Sequence, residues 1–225
     1  MLLARSDGRP WDTGSVEEMR EKLAFRASLP GAFAFDQAAH GFRVARHAGV
    51  PCREMLAAAC AASWLVNSGA ASTTFRRWLE PPFDAVLGEL AEALAARPCA
   101  WASYADDERG ALEGAMNVLA FEPRALGTLT KVLALLAPES VPILADAALR
   151  FAGVLAAEGD GTFDAQTAPA SCFGPAMTWF TACVVAHEAE LAEVARSLRG
   201  PPLAPAQVLD RLLWFDAEGR RHRDG

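Results

Sequence analysis

The sequence predicts an all-α fold on three counts: abundant alanine, leucines spaced three and four residues apart, and prolines and glycines punctuating those runs. Alanine supplies 48 of the 225 residues, and it gives up less freedom in a helix than any other residue. Hydrophobic residues make up 52% of the chain and charged residues 22%, enough apolar material for a core and too little charge for a disordered chain. The reading is one helical domain over residues 1–225, with eight to ten helices packed as antiparallel hairpins. Residues 1–14 and 217–225 are expected to be flexible ends, and 158–175 a long loop.

Each element has its own signal. Ser15-Val16-Glu17-Glu18 is a capping box, so a first helix should run from there to about Ala27 and stop at Leu29-Pro30-Gly31. A second helix from about Asp36 ends at Gly49, and Pro51 opens a third that carries Met55, Leu56, Cys60 and Trp64 towards Asn67-Ser68-Gly69. These two should form a hairpin. Beyond Pro81-Pro82, Leu87, Leu90 and Leu94 mark a helix closed by Pro98. Asp106 to Ala120 reads as a weaker helix, because Gly110 and Gly114 each cost about 1 kcal/mol against alanine.

Pro123 and Pro142 each open a further helix, the second reaching Gly159. From Ala176 to Leu198 one long helix is expected, with Phe180, Val184, His187, Leu191 and Val194 along its apolar stripe. Pro205 begins the last helix, which continues through Leu209 and Leu213 to Phe215 and leaves Arg220-Arg221-His222-Arg223 as a frayed tail.

Charge narrows the functions. The net charge of -7 and pI near 5.2 disfavour nucleic acid as a partner and leave only a local basic groove for it. No apolar run approaches the ~18–20 residues that span a bilayer, so no membrane partner is expected and the cytoplasm is the expected compartment. Cys52, Cys60, Cys99, Cys172 and Cys183 contain no C-x-x-C pair, which makes them small buried hydrophobes rather than zinc ligands. Neither a metal nor a cofactor is predicted.

Two groups of polar residues stand out. Asp36, His40, Arg43 and His47 share a helix face, but His40 and His47 are ~10 Å apart along the axis, too far for one ion. They read as a solvated face. His187 lies within an apolar stripe, where a buried ring needs a hydrogen-bond partner; it reads either as an ordinary core histidine or as the candidate ligand-binding residue of a small-molecule pocket. Gly159-Asp160-Gly161 follows no strand and reads as a turn.

Thr130-Lys131-Val132-Leu133, then Pro138, Pro142-Ile143 and Asp146, followed far downstream by Leu209-Asp210-Arg211-Leu212-Leu213-Trp214, resemble conserved blocks of an uncharacterised family of bacterial helical proteins. That family is itself reminiscent of helix-hairpin-helix base-excision DNA glycosylases. The resemblance implies a glycosylase-like architecture, with Gly127 at the first hairpin glycine, Lys131 as the catalytic lysine and Asp146 as the aspartate that stabilises positive charge at the sugar. Leu126 and Leu129 stand where those enzymes carry proline and the second hairpin glycine. The small-residue face of Gly127, Thr130, Lys131 and Ala134 is expected either at the surface or packed closely beside a cleft. Asp146 and Arg150 have the i, i+4 spacing of an ion pair.

The competing reading is a binding protein that is not an enzyme. It would hold a partner or small molecule between its helices, or form a homo-oligomer through Trp64, Trp78 or Trp214.

Overall fold

The computed structural model describes residues 1–65, 72–121, 125–155, 169–198 and 200–219. Among them are eleven α-helices and one two-stranded sheet, so the all-α fold is as the sequence predicts. The helix end at Asn67-Ser68-Gly69, the helix start at Pro123, the turn at Gly159 and the tail from Arg220 lie outside the described residues. So does most of the expected loop; its last residues begin a helix instead.

The N-terminus is ordered, contrary to expectation. Residues expected to be flexible form an antiparallel hairpin, β1 (Leu2–Ala4) paired with β2 (Pro10–Asp12), Leu3 opposite Trp11. Gly8 supplies the positive φ of the turn. Leu3 and Trp11 are buried, and the Trp11 indole donates to Asp216, 205 residues away. At the other end, residues 215–219 form a π-helical turn, not a loose end.

Helix α1 (Val16–Ser28) starts at the predicted capping box: Ser15 Oγ accepts from the Glu18 N–H, and the Glu18 carboxylate accepts from the Ser15 N–H. Pro30 does not merely break α1; it occupies the first turn of α2 (Pro30–His47), six residues earlier than expected. Past its end, Gly49 at φ 89° closes a Schellman motif, with Gly49 N–H on Arg46 O and Val50 N–H on Ala45 O. The chain then turns back into α3 (Cys52–Leu65), which packs on α2 as the predicted hairpin.

Helices α4 (Ser72–Trp78), α5 (Phe83–Ala96), α6 (Asp106–Leu119) and α7 (Ala125–Leu136) complete the larger apolar cluster. Ten of the twelve residues of α7 are buried, with α2, α3, α5 and α6 all against it. Trp78 is fully buried, ringed by Phe75 and Phe121, with its indole donating to Leu119 O at 2.9 Å. It offers no surface for self-association. Trp64 is half exposed and Trp214 partly so.

Pro142 opens no helix. The backbone N–H of Ile143 is taken by Asp210 Oδ1 at 2.8 Å and that of Leu144 by Thr130 Oγ1 at 3.0 Å. Side chains thus satisfy two backbone donors of this irregular segment, and α8 is short, Asp146–Phe151. The expected long helix is two, α9 (Phe173–Ala186) and α10 (Glu188–Ser197), divided at His187, whose backbone leaves the helical region at φ -126°, ψ 25°. With α11 (Pro205–Trp214), α1 and the hairpin they form a second apolar cluster, and Val154 packs against both.

A buried ionic network ties this half together, and it overturns the solvated reading of Asp36. Asp36 Oδ2 accepts from Arg26 Nη1 at 2.6 Å, and its Oδ1 from Arg211 Nε and Nη2 at 3.0 and 2.6 Å. Arg211 also donates to Asp210. All four side chains are buried, joining α1, α2 and α11 to the segment before α8. His40, Arg43 and His47 are more open, and Arg43 reaches Pro202 O at 2.8 Å.

Candidate functional site

The break at His187 places its ring on the wall of a cleft of about 990 Å³, within the range of small-molecule sites. One side is the end of β1 with Arg5 and Ser6; the facing sides are Arg109 and Glu113 of α6 and the outer face of α9. The hairpin is held there by Trp179 Nε1, which donates to Ala4 O at 2.8 Å. Trp101, Trp179, Ala182 and Ala186 give the cleft an apolar lining.

Its polar groups are only partly engaged. Arg109 donates to Tyr104 O at 3.0 Å and pairs with Asp106. Glu113 lies over Gly174 so closely that a methyl group there would overlap its carboxylate. The Arg5 guanidinium lies 3.9 Å from the centre of the Phe151 ring, a cation–π contact that leaves its N–H groups to find acceptors elsewhere. His187 Nδ1 is 3.6 Å from Glu190 Oε1, too long for a hydrogen bond. Among the described residues three buried side-chain atoms lack a hydrogen-bond partner, and two of them, Arg5 Nε and His187 Nδ1, belong to residues of this cleft.

Lys131 and Asp146 are elsewhere. The small-residue face of α7 is a close-packing face: Gly127 lies against Leu144 O and Ala145 Cα, where a Cβ would meet them at 3.5 and 3.6 Å. Thr130 is fully buried and bonded to Leu126 O and the Leu144 N–H. Lys131, adjacent to Thr130 and half-buried, is lowered below its ordinary pKa by desolvation, and the charge of Glu218 partly restores it. Asp146 opens α8, also half-buried, and its charge is felt by Cys172. Neither residue lines the His187 cleft.

All five cysteines are free. Burial pushes the Cys60 thiol to about 12 and those of Cys52, Cys99 and Cys183 to about 11, so these four are not thiolate nucleophiles at neutral pH. Among the described residues no group of His, Cys, Asp and Glu could hold a metal ion, and no helix is long and apolar enough to cross a membrane.

His187 was legible as a candidate, but Arg5, Arg109 and Glu113 were not. They reach the cleft from a hairpin turn and from a helix more than 70 residues before His187, and nothing in their local sequence marks the meeting. Compared with protein-family models, curated proteins and solved structures, the chain matches none of them.

Proposed function

We propose that the protein is a small-molecule-binding helical protein whose site is the cleft of His187, Arg5, Arg109 and Glu113. The observation that carries this reading is that two residues lining one cleft, Arg5 and His187, each keep a buried side-chain nitrogen without a hydrogen-bond partner, Nε and Nδ1. Burying a polar group without a hydrogen bond costs roughly 1–3 kcal/mol, and a ligand toward which either side chain turns can return that bond. Its walls, with Trp101 and Trp179 among them, suit a flat aromatic body, and its two guanidiniums a ligand edge that accepts hydrogen bonds.

Indole-3-carboxylate is a suitable probe. Titrated into the full chain, it is expected to bind saturably by calorimetry, and Ala182→Trp, which fills the cleft from an exposed position of α9, to weaken it at least tenfold. Saturable binding unchanged in that variant, or none in the wild type, removes the reading.

A second reading rests on the desolvated amine of Lys131, because a lowered pKa is what a lysine needs to attack a carbonyl near neutral pH. In glycosylase-type chemistry that amine would add to the aldehyde of an abasic sugar and lose water to give an imine. Borohydride would then reduce the imine to a stable protein–DNA adduct. The expected result on an abasic duplex is an adduct that Lys131→Gln abolishes; no wild-type adduct, or one retained by the variant, ends this reading.

A further inference from the structure

A second cleft, of about 480 Å³, opens where α1 passes the start of α2 and the connection from α10 to α11. Its floor is the Arg26–Asp36–Arg211 network, and Arg20 stands at its side. Leu23, Ala27, Phe33, Leu198 and Leu203 supply apolar walls. Phe33 is 48% exposed, a large aromatic surface left uncovered.

The hydrogen-bonding capacity of these arginines is unevenly used. Arg211 donates through Nε, Nη1 and Nη2, reaching Asp36 and Asp210. Arg26, however, spends one N–H on Asp36, through Nη1, and a guanidinium carries five. Arg20 adds a third cation, held by the Ser197 hydroxyl at 2.6 Å and by Glu17, which is well exposed to water. Among the described residues the cleft is lined by Arg20, Arg26, Arg211 and the Asp36 carboxylate, with apolar surface beside them, while Glu17 and Asp210 pair with Arg20 and Arg211 from outside the lining.

The geometry points to a binding site for a free aliphatic monocarboxylate, its head group between Arg26 and Arg20 and its chain along Leu23, Leu198 and Phe33. A guanidinium fork matches a carboxylate in shape and charge, and burying the chain would remove Phe33 from water. A cation in the same place would face three arginines. A neutral alcohol of equal length would gain the walls but not the charge. Desolvation and the charge of Arg211 already lower Arg26 to about 10, and an anion beside it would relieve that strain on its charged form.

Octanoate, octanol and octylamine distinguish these cases. Calorimetric titration of the full chain is expected to show saturable binding of octanoate, at least tenfold tighter than octanol, and none of octylamine. Phe33→Asp puts a like charge on an exposed rim position and should weaken octanoate at least tenfold without altering the fold; Arg20→Gln should weaken it several-fold. Arg26→Lys keeps a cation on Asp36 but takes away the fork, and is expected to weaken octanoate similarly. Ala182→Trp, in the other cleft, should leave it unchanged, so this proposal and the His187 reading fail separately. Octanol binding as tightly as octanoate, or octanoate binding unaltered by Phe33→Asp, overturns the proposal, as does no binding at all.

Discussion

Replacing Arg211 with methionine is expected to cost about 3–5 kcal/mol of folding stability at neutral pH, the usual effect of removing one partner from a buried ionic network. Arg211 is 3% exposed and holds two carboxylates. Burial alone would push the Asp36 carboxyl up, but the charges and hydrogen bonds of Arg211 and Arg26 hold it below its ordinary value. Burial does prevail at Asp210, which lies above its ordinary value despite Arg211 and the Ile143 N–H. The variant would leave both carboxylates with less compensation, so both would rise.

The sign with pH follows. A carboxyl raised in the folded state favours the fold in its protonated form, so its penalty is relieved as pH falls through the raised value. A depressed one, as Asp36 is in the wild type, contributes stability that is lost as pH falls below about 3.8. The gap between variant and wild type should therefore be widest near neutrality and narrow on acidification. Urea unfolding at pH 7 and pH 4.5 checks this, and a gap under about 1 kcal/mol at pH 7 contradicts the buried network.

Trp78→Ala should lose a similar amount, about 3–5 kcal/mol, because truncating a fully buried aromatic leaves a cavity as well as lost contacts. The indole also leaves Leu119 O without its donor. Trp64→Ser, at a position half open to water, should change stability by no more than about 0.5 kcal/mol. Thermal unfolding followed by circular dichroism compares the two. A Trp78 variant that melts like the wild type but changes its oligomeric state would restore that tryptophan as an interaction residue.

Local signals proved legible where the deciding partner was close in sequence. The capping box needed only Ser15 and Glu18, and the Schellman turn only Gly49 and the last turn of α2. The hairpin left a fainter trace: three-residue strands give too little alternation to register, and the Asp7-Gly8 turn was its one clear mark. At His187 the apolar stripe ran on because Val184, Leu191 and Val194 face the same cluster on both sides of the break. Periodicity records which side is buried, not whether the backbone is continuous. Asp36 could not be placed from its helix face alone, since one charge partner, Arg26, lies in the preceding helix and the other, Arg211, is 175 residues away.

The tie between Trp11 and Asp216 bears on how the molecule is made. A ribosome adding about 5–20 residues per second needs roughly 10–40 s to travel from the one to the other, and Leu3, Trp11, Met19 and Leu23 share their apolar cluster mainly with residues 148–213. The earliest stretch to emerge therefore stays unsheltered until nearly the last is translated. The region around Leu126 to Leu136 finds most of its surroundings upstream and can consolidate sooner, so the nascent protein would settle from its middle outward.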